Sequence, residues 1–120
     1  ALSQGQRQIV ILARCIVQDS PVMLMDEPDS ALDFLNRHMV LSKIRELIKE
    51  ENKAGLITLH DPNFAMAYCD RLLLLKEGRL VGELDMRRAK ADEVKKKLSL
   101  IYGDIELLQS GDSFLMGKAL

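Results

Sequence analysis

The apolar positions of the chain fall into two rhythms. From Gln6 onward, Ile9, Leu12, Ala13, Ile16 and Val17 recur at the spacing that lines one face of a helix. Ser3 precedes this run as an N-cap, with Gln6 as its capping-box partner. Pro21 disfavours a helical residue before it, so the helix is predicted to end near Gln18–Asp19. The rhythm then changes. Val22 to Met25 is apolar at every position, which suits a strand in a sheet covered on both faces.

Asp29 or Ser30 restarts a helix, predicted to run from about Asp33 to Glu50. Leu35, Val40, Leu41, Ile44, Leu47 and Ile48 make its apolar side, and Arg37, Lys43, Arg45, Glu46, Lys49 and Glu50 its polar side. Gly55 is expected to break that helix before a second buried strand, Leu56 to Leu59. His60-Asp61-Pro62 then turns into a helix from Pro62 to about Tyr68. Leu72 to Leu75 is predicted as a third strand, Glu77-Gly78 as a turn, and Arg79 to Leu84 as a returning hairpin arm. A lysine-rich helix from Ala89 to Leu98 follows. Leu100-Ile101-Tyr102, then Ile105 to Leu108 and Ser113 to Met116 around Gly111-Asp112, read as a terminal β-hairpin. Strand–helix–strand–helix–strand with fully apolar strands predicts an α/β fold with a mainly parallel sheet, an antiparallel edge and a C-terminal hairpin.

Composition narrows the function classes. The 120 residues suffice for one small domain, and 48% apolar residues exclude a disordered chain. With 17 basic and 18 acidic residues the net charge is -1, which gives no global attraction to nucleic acid or anionic lipid. No basic–aromatic pattern supports nucleic-acid binding. Cys15 and Cys69 lie inside apolar-periodic segments, so a reducing compartment fits better than a disulfide framework. No apolar run approaches the roughly 18 residues of a membrane span, and no secretory leader is recognisable. The chain opens without Met, directly on a helix cap, as a processed or cut polypeptide would.

Candidate chemistry gathers where the strands end. Ligands of open parallel sheets sit beyond the carboxyl ends of the strands. Asp26 and Glu27 follow the first strand and His60 follows the second, which places two acids and an imidazole on one rim. One acid can hold Mg²⁺ with its bound phosphates, the next can take a proton from an attacking water, and the histidine can hold that water or reach a phosphate. The same residues also read as caps and solvated turn residues, and a lone histidine before Asp-Pro is commonly a turn residue.

Four segments together resemble one family. Leu2-Ser3-Gln4-Gly5-Gln6-Arg7-Gln8 resembles the signature motif of ATP-binding-cassette (ABC) ATPases. Val22 to Glu27 resembles their Walker B strand, Ser30-Ala31-Leu32-Asp33 their D-loop, and His60 their switch histidine. The hairpin around Glu77-Gly78 is similar to the one that follows in these domains. The resemblance implies a fragment of a three-layer, RecA-like P-loop NTPase. Within it, residues 1–19 carry the signature helix, 20–85 the Walker B, D-loop and switch core, and 86–120 the closing helix and hairpin. It implies ATP and Mg²⁺ as cofactors, Asp26 as the Mg²⁺-associated acid, Glu27 as general base and His60 as the switch. Ser3, Gln4, Gly5 and Gln6 would cap the ATP held by a second nucleotide-binding subunit, where a helix N-terminus offers free N–H groups to phosphate. Gln4 stands where the family usually has glycine. Asp33 would lie at the seam of that homodimer.

The resemblance is strongest to importers of iron–siderophore complexes, haem or cobalamin, which implies permease partners and a peripheral place at the cytoplasmic face of the membrane. No Gly-x-x-x-x-Gly-Lys-Ser/Thr loop and no glutamine loop occur in the chain. It therefore reads as the second half of a nucleotide-binding domain, inactive without its N-terminal half and expected to self-associate through unpaired strand edges. A non-catalytic, ABC-like interaction or regulatory module is the alternative. The related ATPases of DNA repair carry long coiled coils, and no heptads run over several turns here.

Overall fold

A computed structural model describes residues 6–7 and 20–119. Gln6 and Arg7 are helical, while the rest of the expected first helix, Ser3, Gln4 and Gly5 included, lies outside the described residues. The elements in chain order are β1 (Val22–Asp26), α1 (Phe34–Glu50), β2 (Ala54–Thr58), α2 (Pro62–Tyr68), β3 (Arg71–Lys76), β4 (Arg79–Asp85), α3 (Ala91–Tyr102), β5 (Ile105–Ser110) and β6 (Ser113–Lys118). The chain forms two compact units, Ala1–His60 and Asp61–Leu120, divided inside the segment 20–85 that the motifs group together.

In the first unit β1 and β2 pair in parallel, from Val22 opposite Ala54 to Asp26 opposite Thr58. The crossover between them is α1, as a parallel pair requires. Asp33 caps α1, its carboxylate accepting from the Asn36 amide at 2.8 Å. The cap falls at Asp33 rather than at Asp29 or Ser30, because those two lie in the turn before it. Met23 on β1 and Val40, Leu41 and Ile44 on α1 are buried.

Two expectations about this unit change. Gly55 does not end the helix. Asn52, at φ 52, follows the helix end, and Gly55 lies inside β2, where a Cβ would clash with Ile48 Cδ1. Glycine is there so that α1 can lie close over the strand. Nor are the strands covered on both faces: Leu24 is 70% and Leu56 54% exposed.

The second unit packs α3 and two hairpins around one core of Met66, Leu72, Leu74, Leu84, Val94, Leu98, Ile105 and Phe114. Val94 and Leu98 are one turn apart on α3, and Leu72 and Leu74 alternate inward on β3. Among the described strands, therefore, one pair is parallel and two are antiparallel, so the mixed α/β class holds but the pairing is not mainly parallel. The reason is local. Glu77 and Gly78, at φ 52 and 75, make a two-residue turn with both centres left-handed, which sends β3 straight back into β4. Gly111, at φ 59, turns β5 into β6, the hairpin expected at the C-terminus. Leu100-Ile101-Tyr102 belongs to the last turn of α3, which ends at Gly103 with φ 74. Asn63 of α2 imitates a strand backbone: its Nδ2 donates to Met116 O at 3.0 Å and its Oδ1 accepts from Met116 N at 2.6 Å.

Asp85 closes β4. Its carboxylate accepts from the Arg87 amide at 3.1 Å, and its carbonyl accepts from the amides of Arg88 and Ala89. That backbone bond, helped by the Arg87 side chain, holds the Asp85 carboxyl below its ordinary 3.8. A lowered folded pKa stabilises above the unfolded value and stops doing so once the pH has fallen through the folded one. Asp85→Asn is therefore expected to reduce stability at neutral pH, and the gap to the parent should close on acidification below 3.8, as followed by urea midpoints across pH. Leu84 is fully buried in this core. Leu84→Ala is expected to cost about 2–5 kcal/mol in the same denaturation experiment.

Candidate functional site

Thr58, the polar end of an otherwise apolar strand, organises the rim. Opposite Asp26 in the parallel register, it donates from Oγ1 to Asp26 Oδ1 at 2.5 Å. The Glu27 amide donates to Thr58 O at 3.1 Å and to its Oγ1 at 2.9 Å. One side chain on β2 thus binds the last residue of β1 and the first residue beyond it. The two acids differ in exposure: Asp26 is exposed and Glu27 is half-buried.

Beyond Thr58, β2 delivers His60. His60 Nε2 meets Glu27 Oε1, so the structure brings together the acid and the imidazole that are adjacent only through strand pairing. Glu27 holds this place at φ 46, and Ala31, four residues on, lies at φ 64. A left-handed conformation at a residue with a Cβ costs on the order of 1–2 kcal/mol, so surrounding contacts must impose it on this loop. The loop folds on itself through Ser30 N donating to Glu27 O at 3.0 Å and Leu32 N to Asp29 O at 3.3 Å.

Asp29 supplies the loop's tie to α1. It is the buried charged residue among the described positions, 4% exposed. Arg37, one turn into α1, donates to Asp29 Oδ2 from Nε at 3.0 Å and from Nη2 at 2.9 Å. Glu27, Asp29, Ser30, Ala31, Leu32, Arg37 and His60 line a cleft of about 180 Å³. Pockets for whole drug-sized ligands run to roughly 300–1,000 Å³, so this cleft admits an anion or a few waters. No group of three or more potential metal ligands gathers among the described residues. Asp26 has the oxygen chemistry for Mg²⁺, which takes one or two carboxylates and fills its other positions with phosphate and water.

Asp33 lies at the far end of the loop as the cap of α1, so the helix-start reading of that residue is met by its bond to Asn36. Gln6 is helical and exposed. Three contributors were not singled out by their sequence context. Asp29 reads as a helix start, Arg37 falls on the polar side of α1, and Thr58 passes as a strand residue. The available signal was Thr58 itself, a hydroxyl ending an apolar strand at the level of Asp26.

Comparison with known proteins converges on one group. The family model described as ABC transporter matches residues 1–30. A hemin import ATP-binding protein of Vibrio parahaemolyticus is 39% identical over 108 residues, which is 86% of this chain and 40% of the relative. A phosphonates import ATP-binding protein of Nostoc is 36% identical over 92% of this chain and 41% of its own length. A cobalamin import ATP-binding protein of Halobacterium salinarum is 40% identical over 67% of this chain and 20% of its own length. Among solved structures, an inward-facing transporter described as of metal-chelate ABC type superposes with TM-score 0.75 at 30% identity, covering 97% of this chain and 46% of that one. The cbiO1 subunit of Clostridium perfringens, part of the ABC transporter complex cbiONQ, gives 0.69 at 29% identity over 84% of this chain and 41% of that one. The chain spans about two fifths of the hemin and phosphonates relatives.

The clamp at Thr58 is directly testable. Thr58→Val removes the hydroxyl from both of its hydrogen bonds and is expected to cost about 0.5–1.5 kcal/mol per bond, whereas Thr58→Ser keeps most of the stability. Equilibrium urea unfolding of the three proteins checks this.

Proposed function

The chain belongs to the ATP-binding family of ABC transporters, and we propose that it supplies the acid–histidine half of an ATP-hydrolysing domain. The observation that carries this reading is the Glu27 carboxylate held against His60 at the carboxyl end of a parallel strand pair. In it, Glu27 accepts the proton of the attacking water, and His60 keeps that carboxylate oriented and reaches the terminal phosphate. Asp26, exposed beside them, contributes a ligand to Mg²⁺. The ion, when bound, neutralises charge on the phosphate oxygens. Ser3, Gln4, Gly5 and Gln6 serve to bind the phosphates of ATP held by a second copy of the subunit, a role that the helical state of Gln6 and Arg7 supports. Asp33 lies at the seam between the two copies.

The partners in this reading are that second nucleotide-binding subunit, the permease subunits, and an N-terminal half carrying the phosphate-binding loop. The cargo is a metal chelate such as haem, cobalamin or an iron–siderophore complex, moved inward. The hemin and cobalamin relatives and the metal-chelate type structure support this class. No described helix is long and apolar enough to cross a membrane. The subunit is held at the cytoplasmic face by its permease.

By itself the 120-residue chain is expected not to turn over ATP, since its sequence carries no Gly-x-x-x-x-Gly-Lys-Ser/Thr loop to cradle the phosphates. Mixed with a polypeptide carrying that loop from a relative, it is expected to hydrolyse Mg-ATP. Glu27→Gln should lower the rate by about 10²–10⁴-fold, the usual share of a general base. Phosphate release measured on the chain, the mixture and the variant checks the reading. Turnover by the isolated chain that depends on Glu27, or turnover by the mixture that ignores Glu27→Gln, would overturn it.

A further inference from the structure

We propose that Asp29 and Arg37 are positioning residues that hold the Glu27 carboxylate against His60, an inference that rests on the reading of Glu27 as the general base. Asp29 is a buried charge to which that chemistry gives no role. Its position explains what it does. It stands between two left-handed residues, Glu27 and Ala31, in a loop whose backbone does not favour that shape. At the Glu27 end the loop is tied to β2 through Thr58. A further side-chain tie runs from Asp29 to Arg37 on α1.

The linkage is short and stiff at each step. Asp33 caps α1 and its carbonyl accepts from the Arg37 amide at 2.9 Å, so Arg37 is presented by an ordered first turn. Its guanidinium donates twice to one oxygen of Asp29. Between Asp29 and Glu27 stands only Pro28, buried and with φ fixed by its ring. A displacement of Asp29 is therefore passed to Glu27. Without the ion pair the left-handed loop relaxes, and the Glu27 carboxylate swings off the imidazole. Charge gives the tie a direction that apolar packing lacks, because the fork of Arg37 fixes where the carboxylate oxygen lies.

The test reads the pair through His60 in the intact chain. The side-chain ¹⁵N resonance of His60 Nε2 and the hydrogen exchange of the Ser30 and Leu32 amides are measured in the parent, Asp29→Asn, Arg37→Lys and Glu27→Gln. Asp29→Asn is expected to move the His60 resonance towards its Glu27→Gln position and to speed exchange at Ser30 and Leu32 by about tenfold or more, a local opening. Amides of the unit 61–120 should keep parent rates. Arg37→Lys, which keeps the charge but loses the fork, should fall between. If Asp29→Asn does not fold, Arg37→Lys decides by the same two readouts. A parent-like His60 resonance and parent-like exchange in the folded variant would overturn the proposal. Neither readout involves nucleotide, so a failure of the ATPase reading in the turnover assay is seen separately from a failure of the pair to position Glu27.

Discussion

The site depends on the parallel pairing of β1 with β2. Glu27 and His60 are separated by more than thirty residues of chain, including all of α1, and only the register that sets Asp26 opposite Thr58 brings their side chains together. A slip of one residue would turn Thr58 to the other face of the sheet and break its hydroxyl's bonds to Asp26 and to the Glu27 amide. The acid–histidine geometry and the strand register are thus one constraint. Thr58 carries it, since its hydroxyl and carbonyl engage the last residue of β1 and the first of the loop.

Around that constraint the loop from Glu27 to Leu32 is built under tension. Two residues with side chains adopt left-handed backbone, a buried aspartate sits between them, and a helix cap follows at once. Such strain persists where neighbouring contacts over-determine a segment. Here the contacts come from both sides, β2 through Thr58 and α1 through Arg37. The loop is short, and its conformation sets the direction of an acid that has to face an imidazole and a cleft at the same time.

Much of this was legible in the chain. The helical spacing from Leu35 to Ile48 located α1, and Asp61-Pro62 located the start of α2, because cap and period agree there. The apolar run ending in Asp26 and Glu27, with His60 beyond the next strand, pointed to the rim before any coordinates. The Glu77-Gly78 turn and the returning arm from Arg79 were legible too, and β3 pairs antiparallel with β4 across that turn. Coverage was less legible, since an all-apolar strand reads as buried on both faces, yet Leu24 and Leu56 are exposed. Gly55 shows a related ambiguity, since a glycine after a helix looks alike whether it ends the helix or makes room for it. The Asp29–Arg37 pair was hidden because each residue alone has an ordinary surface explanation.

The most direct test of the account is a proton–proton Overhauser measurement between the His60 imidazole and the Glu27 side chain in the intact chain, with interstrand contacts between β1 and β2 as the internal control. The account predicts a cross-peak from the His60 ring to the Glu27 side-chain methylenes whenever the Asp26–Thr58 register is seen. The register without that cross-peak would contradict it, because strand pairing would then leave the acid and the imidazole apart.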